Sequence, residues 1–164
     1  MRKKFVAVIG YRRSGKSTII RSLTGCGSGA FVGEVCDNAA NVSLFVHAPS
    51  PQEFGKTDEG AFDKFLQRCK RSQQIQGLVS AIQPTLPNRR LSLEKMFSLA
   101  RQRGFESCAF ILEHPYKGVR IGNFERIKER VLNTDPNARV FALDGRRFAI
   151  LNAEAIRSLC RLPF

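Results

Sequence analysis

Nine consecutive residues near the start of the chain have the types and spacing of a phosphate-binding loop. Residues 10–18 read Gly-Tyr-Arg-Arg-Ser-Gly-Lys-Ser-Thr, which matches the pattern G-x-x-x-x-G-K-[ST]. Gly10 and Gly15 allow the backbone to turn its N–H groups inward, and a helix that begins at Lys16 directs the positive end of its dipole at a bound anion. The sequence therefore predicts a site for nucleotide phosphates. The alternative interpretation is an accidental glycine-rich turn.

The side chains of this loop have predicted roles. Lys16 is expected to reach the β and γ phosphates, and the Ser17 hydroxyl is expected to bind Mg²⁺. Further phosphate contacts are predicted for Gly10, Arg13, Ser14, Gly15 and Thr18. The predicted ligands are therefore ATP or GTP together with Mg²⁺, and the loop itself does not distinguish the two bases.

Hydrophobic periodicity predicts alternating strands and helices around the loop. Predicted strands cover residues 5–9, 31–36, 42–46, 75–82, 108–112 and 140–143, and predicted helices cover residues 16–24, 58–71, 92–103, 124–132 and 152–160. The short polar link between the second and third strands predicts an antiparallel hairpin, and residues 48–57 and 84–90 are predicted loops. Residues 1–164 are interpreted as a single P-loop NTPase domain, because 164 residues leave no room for a second full domain.

Composition limits the cellular setting. The five cysteines lie far apart without a C-x-x-C pair, which predicts reduced thiols and no zinc site or disulfide framework. The basic start is followed by only five apolar residues before Gly10, so no export signal is predicted. No apolar run approaches the ~20 residues of a membrane span. A cytoplasmic protein without a membrane partner is expected.

Charge is distributed unevenly along the chain. There are 27 basic and 14 acidic residues, a formal net charge of +13. Residues 64–103 alone carry nine basic side chains and one acidic side chain. Such a basic face could bind DNA or RNA, or it could be a solvated surface without a polyanionic partner. Both interpretations stay open at this point, as does the oligomeric state.

The order of elements resembles that of the Ras-like small GTPase family over most of the chain: a phosphate loop, a helix, a hairpin, and then alternating helices and strands. The resemblance implies a three-layer α/β P-loop NTPase fold of Ras-like topology, with a mostly parallel six-stranded sheet and one antiparallel edge strand. It also implies a nucleotide at the carboxyl ends of the strands.

Two motifs of that family are replaced here. Small GTPases end the third strand with Asp-x-x-Gly, which holds magnesium through water, whereas residues 46–50 read Val-His-Ala-Pro-Ser. The family's guanine-reading Asn-Lys-x-Asp follows the fifth strand, where residues 113–116 read Glu-His-Pro-Tyr. Guanine specificity is therefore not predicted, and the magnesium carboxylate must come from elsewhere.

Four residues are candidates for the missing roles. Glu53, in the loop after the third strand, could approach magnesium or position water. Arg12 could act as a built-in arginine finger or, by pointing outward, accompany slow hydrolysis. His47 could bond a phosphate, although a structural role is favoured. Asp144 could bond a base amine, although the Asp-Gly pair at residues 144–145 favours an ordinary turn.

Two function classes follow from these residues. The first is a nucleoside triphosphate binding protein with slow or partner-stimulated hydrolysis, acting as a switch or assembly factor. The second is a small phosphotransferase, in which four arginines would clamp donor and acceptor phosphates. These arginines are Arg68, Arg71, Arg89 and Arg90. The predicted hairpin counts against a nucleotide kinase, which needs a parallel second strand.

Overall fold

Six strands and six helices make up the computed structural model, which describes residues 2–54, 57–84 and 91–162. The strands are β1 (Lys4–Ile9), β2 (Val32–Asp37), β3 (Val42–His47), β4 (Ile75–Ile82), β5 (Glu106–His114) and β6 (Arg139–Asp144). The helices are α1 (Lys16–Thr24), α2 (Pro51–Phe54), α3 (Glu59–Arg71), α4 (Leu93–Gln102), α5 (Phe124–Thr134) and α6 (Ala149–Cys160). The predicted α/β class is confirmed.

All six strands belong to one sheet in the order β2-β3-β4-β1-β5-β6. The edge strand β2 is antiparallel to β3, as the short polar link predicts, and every other neighbouring pair is parallel. The strand β4 lies between β3 and the phosphate-loop strand β1, and β1 lies between β4 and β5. The carboxyl ends of β4, β1 and β5 therefore surround the loop that follows Ile9.

Helices cover both faces of the sheet, an arrangement compatible with the predicted three layers. Side chains alternate along β1: Phe5 and Ile9 lie in one buried cluster, and Val6 and Val8 lie in another. The first cluster includes buried residues of α3, α4 and α5, and the second includes buried residues of α1 and α6. The central strand is thus buried on both faces and holds the loop on a rigid support.

The predicted helix starts at residues 58 and 92 are the capping residues of α3 and α4. The Asp58 carboxylate accepts a hydrogen bond from the N–H of Ala61 at 2.8 Å, and the Ser92 hydroxyl accepts one from the N–H of Lys95 at 3.1 Å. One predicted loop is different, because residues 51–54 form the short helix α2 within the predicted loop 48–57. The predicted loop 84–90 lies mostly outside the described residues.

Helix α1 is held at its carboxyl end by two features. Gly25 adopts a left-handed conformation with φ of 72° and donates its N–H to the carbonyl of Arg21. The guanidinium of Arg157 on α6 donates to the carbonyls of Ser22 and Leu23, at 3.0 and 2.8 Å. The carbonyls of Arg21, Ser22 and Leu23 in the last turn of α1 thereby have partners, and the other end of the helix begins at the phosphate loop.

The five cysteines are free thiols, of which Cys36 is exposed and the others are buried. Within the described ranges, no helix has both the length and the apolar character needed to cross a bilayer.

Candidate functional site

The loop after β1 is built on two positive backbone dihedral angles. Gly10 continues the parallel pairing by donating its N–H to the carbonyl of Ile82 at 3.0 Å. Gly15, the residue before α1, has φ of 101°, and Arg13 has φ of 63°. Glycine adopts this region without the steric penalty of a Cβ, which explains the second glycine of the motif. The loop therefore reverses the chain and leads directly into α1.

Lys16 is a buried cation at the base of this loop. It is 4% exposed, and its Nζ donates to the carbonyl of Tyr11 at 2.7 Å. The carboxylate of Glu53 lies at 3.4 Å from the same nitrogen. Burial lowers the pKa of Lys16, and the neighbouring Glu53 carboxylate opposes that shift. An anion placed beside Nζ would favour the charged lysine.

Glu53 reaches Lys16 because the preceding residue anchors α2. The buried Gln52 side chain donates to the carbonyl of Leu91 at 3.2 Å and accepts from the N–H of Gln83 at 3.0 Å. It thereby joins α2 to the end of β4 and to the segment before α4. Glu53, for which the sequence predicts a role toward magnesium or water, thus lies beside Lys16. No sequence signal identified Gln52 as the anchor.

A pocket of about 310 Å³ lies over the loop. Its lining consists of Arg13, Ser14, Gly15, Lys16, Ser17, Thr18, Glu53, Tyr116 and Lys117. Two of the loop's hydroxyl groups differ in their contacts. The Ser17 hydroxyl makes a long contact of 3.4 Å with the carbonyl of Ala48, and the buried Ser14 hydroxyl has no hydrogen-bond partner among the described residues. The pocket thus combines a buried cation, a carboxylate, polar hydroxyls and the N-terminal end of α1.

The segments after β5 and after β6, which carry no phosphate-binding motif, contact the backbone of the phosphate loop. Tyr116 and Lys117, in the segment after β5, donate their N–H groups to the carbonyls of Ser14 and Arg13, at 3.0 and 3.1 Å. Gly118 has φ of 86°, and a Cβ there would lie 2.5 Å from the carbonyl oxygen of Arg12. The close backbone approach therefore depends on a glycine. In the sequence, the contact between Gly118 and the Arg12 carbonyl is indicated only by a glycine that lies shortly after the end of β5.

The loop after β6 approaches the same backbone. A Cβ on Gly145 would lie 2.7 Å from the carbonyl oxygen of Ser14 and 2.8 Å from that of His114. The N–H of Gly145 donates to the carbonyl of His114 at 2.6 Å. Gly145 therefore fixes three chain segments against one another beside the loop.

The two arginines of the loop are placed differently. Arg13 is exposed and lines the pocket, whereas Arg12 is exposed and is not among the lining residues. Its carbonyl faces Gly118. Of the two roles considered for Arg12, this placement favours the outward-pointing one.

His47 and Asp144 are engaged in structural contacts. The Nδ1 of His47 lies 2.7 Å from the carbonyl oxygen of Pro49, and its Nε2 lies 2.7 Å from the hydroxyl of Thr57. Asp144 accepts from the N–H of Arg146 at 2.9 Å and pairs with its guanidinium at 2.7 Å, which lowers the pKa of the carboxyl to about 2. The Asp144 geometry is that of the turn favoured by the sequence.

The burial of His47 should make the folded chain less stable in mild acid. Burial lowers the pKa of His47 below 6.5, so the folded chain holds the neutral ring while the unfolded chain binds a proton. The free energy of unfolding should therefore fall as the pH decreases from 6.5 toward 5, above the range in which carboxylates titrate. Urea unfolding of the parent and of His47→Gln at these two pH values measures it. An equal decline in both proteins would contradict the assignment.

The predicted basic face includes residues of α3. Lys64, Arg68 and Arg71 line a shallow depression of about 490 Å³ on this helix. Arg68 pairs with Glu34 at 3.3 Å and lies 5.7 Å from the centre of the Phe45 ring. Arg89 and Arg90, the other two members of the predicted phosphate clamp, lie outside the described residues. The structure thus places two of the four arginines together, away from the pocket lining.

The side-chain oxygens of the pocket are the candidate ligands for a metal ion. Among the described residues, no group of three or more His, Cys, Asp or Glu side chains could hold a metal ion. Magnesium that accompanies a nucleotide commonly needs only one or two protein oxygens, because phosphates and water complete its shell. The Ser17 hydroxyl and the Glu53 carboxylate are oxygens of this kind in one pocket.

Comparisons of the chain with protein-family models and with curated proteins found no match.

Proposed function

We propose that this protein binds a nucleoside triphosphate over the loop of residues 10–18, with the terminal phosphates beside Lys16. The observation that carries the proposal is the buried Lys16 ammonium, which lies at the start of a helix in a pocket formed by the loop. The first N–H groups of a helix have no acceptor within it, and the helix dipole favours an anion at this end. A buried cation with one carboxylate neighbour adds a charge-assisted donor to this set.

The remaining ligand contacts follow from the pocket lining. Arg13 and Ser14 would contact the phosphates together with Gly15 and Thr18, and Ser17 with Glu53 would hold Mg²⁺. When bound, magnesium neutralises phosphate charge and fixes the orientation of the phosphate chain. ATP and GTP are equally compatible with this proposal, because the residues that support it contact phosphates.

We propose that hydrolysis is slow without a partner. Glu53 is the carboxylate of the pocket that could orient water, but its charge also pairs with Lys16 at 3.4 Å. Arg12, which would be the finger, lies outside the pocket lining. A switch or assembly factor of P-loop NTPase type, similar in element order to small GTPases, fits these features. A nucleic-acid partner for the α3 face stays a prediction from charge.

A second candidate function is phosphoryl transfer to a small molecule. It is favoured by a cavity of about 730 Å³ lined by Tyr11 of the loop and by arginines of α5. The Tyr11 carbonyl is also the acceptor for Lys16. An acceptor molecule in this cavity would thus lie near the proposed nucleotide.

Glu53→Gln separates the effect of the carboxylate on the charge of Lys16 from its proposed contact with magnesium. Without magnesium, removing a negative charge beside Lys16 should raise triphosphate affinity about fivefold to tenfold, or ~1 kcal/mol. With magnesium, the gain should disappear, because the parent carboxylate then contacts the cation. Phosphate release should fall by at least ~10-fold if Glu53 orients water. Calorimetry with and without magnesium, together with a phosphate-release assay, measures these changes.

Glu125→Gln is the matched control, since it removes the same charge from an exposed position of α5 that pairs with Lys128. The triphosphate affinity of Glu125→Gln should equal that of the parent, both with and without magnesium. If Glu53→Gln also follows the parent, with and without magnesium, Glu53 has no part in the site.

A further inference from the structure

A second cavity has a lining that shares no residue with the pocket over the phosphate loop. It has a volume of about 730 Å³ and lies between the N-terminal ends of α4 and α5, where the helix-capping residues Ser92 and Asn123 form part of its wall. Cavities of this size accommodate drug-sized or nucleotide-sized molecules. The space is therefore sufficient for a ligand of its own.

The charged groups of the cavity favour an anion. Arg130 is held in place by the carboxylate of Glu94 and by the carbonyl of Pro84, to which its Nη1 donates at 2.6 Å. Arg126, one helical turn earlier, is exposed, and its guanidinium has no hydrogen-bond or ion-pair partner among the described residues. The single carboxylate in the wall is thus neutralised, and one guanidinium remains available to a ligand.

Apolar side chains and two helix-capping residues complete the wall. Ile121 and Ile127 are 4% and 6% exposed and belong to the buried cluster on this face of the sheet. Tyr11 packs against the same cluster and lines the cavity from the phosphate-loop side. The capping oxygens of Ser92 and Asn123 already accept N–H groups of their own helices. An apolar body can therefore contact the wall while an acidic group reaches Arg126.

We propose that this cavity is a binding site for a small organic anion, which carries a phosphate or carboxylate group on an apolar or ring-shaped body. A guanidinium binds either acidic group through two parallel N–H donors, and the positive ends of α4 and α5 add to the attraction. The inference rests on the cavity alone. It does not require that a nucleotide binds the loop.

The test uses three simple probes and amide shifts of the ¹⁵N-labelled protein. Phenyl phosphate carries a phosphate group on a phenyl ring, and benzoate carries a carboxylate group on a phenyl ring. Benzamide is the uncharged analogue. We expect at least one of the two anions to shift the amides of residues 121–127, and benzamide to shift them at least tenfold more weakly. The preference between phenyl phosphate and benzoate identifies the acidic group.

Three variants locate the binding. Arg126→Ala should weaken binding of the preferred anion at least tenfold, because it removes the available guanidinium. Lys128→Ala removes one positive charge from the same helix outside the cavity wall and should change binding less than twofold. Lys16→Ala should leave it unchanged, which separates this inference from the proposed nucleotide site.

Three results would overturn the proposal. The first is that neither anion shifts residues 121–127 at millimolar concentration, or that the shifts are confined to residues 13–18. The second is that benzamide binds as well as the anions do. The third is that Lys128→Ala weakens binding as much as Arg126→Ala.

Discussion

Replacing Lys16 by alanine should weaken the binding of a nucleoside triphosphate at least ~30-fold, or about 2 kcal/mol. The ammonium is the buried cation of the loop, and without it the backbone donors face the phosphate charges with no buried side-chain cation. The fold should persist, because the buried residues Ile19, Ile20 and Leu23 of α1 are unchanged. Calorimetry on the variant, after circular dichroism has confirmed its fold, measures the loss.

Lys128→Ala is the matched control for this charge. Lys128 lies on α5 and pairs with Glu125 at 3.8 Å, so its removal lowers the net charge equally without touching the loop. Its triphosphate affinity should stay within twofold of the parent's. An affinity of Lys16→Ala equal to that of the control would mean that the loop is not a nucleotide site.

Replacing Gly145 by alanine should destabilise the chain by about 2–3 kcal/mol and weaken triphosphate binding at least tenfold. An added Cβ would lie 2.7 to 3.0 Å from three backbone atoms: the Ser14 oxygen, the His114 oxygen and the Tyr116 nitrogen. Backbone atoms cannot rotate away as a flexible side chain can, so the packing of the phosphate loop against the segments after β5 and β6 must change. Urea unfolding measures the stability, and calorimetry measures the affinity.

Gly27→Ala is the control for an added methyl group. A Cβ at Gly27 would meet no atom within 4 Å, and its φ lies outside the left-handed region. Its free energy of unfolding and its triphosphate affinity should follow the parent's. Equal stability of the Gly145 and Gly27 variants would show that the contact after β6 does not constrain the loop.

Local signals were sufficient to predict several elements. The bounds of α1 agree with the prediction because the motif fixes its start and Gly25 fixes its end. The strand β4 agrees as well, since an apolar run between polar segments has few alternatives. The predicted helix starts at residues 58 and 92 coincide with the capping residues Asp58 and Ser92, because a cap acts within four residues.

The parts of the site that join distant segments could not be predicted. The order of strands in the sheet depends on how whole elements pack, and no residue signal places β4 between β3 and β1. The position of Glu53 depends on the hydrogen bonds of Gln52 with residues more than 30 positions away. The contact of Tyr116 with the carbonyl of Ser14 has the same long-range character.

Arg12 and Arg13 also show that the sequence does not predict where a side chain of the loop lies. The two arginines are adjacent in the sequence, and from the sequence either one could act as an arginine finger. The φ of 63° at Arg13 changes the direction of the chain between them, and Arg13 lines the pocket while Arg12 does not. A backbone conformation of this kind is set by the contacts of Arg13 and Arg12 with residues 117 and 118, far along the chain.

Titration of the ¹⁵N-labelled protein with ATP and with GTP, each with magnesium, tests the central claim most directly. Binding over the loop should shift the amides of Gly15, Lys16 and Ser17 and should saturate at one nucleotide per chain. Similar affinities for the two nucleotides are expected from contacts made to phosphates. If neither triphosphate shifts these amides at millimolar concentration, the chain is not a nucleotide-binding protein of the proposed kind.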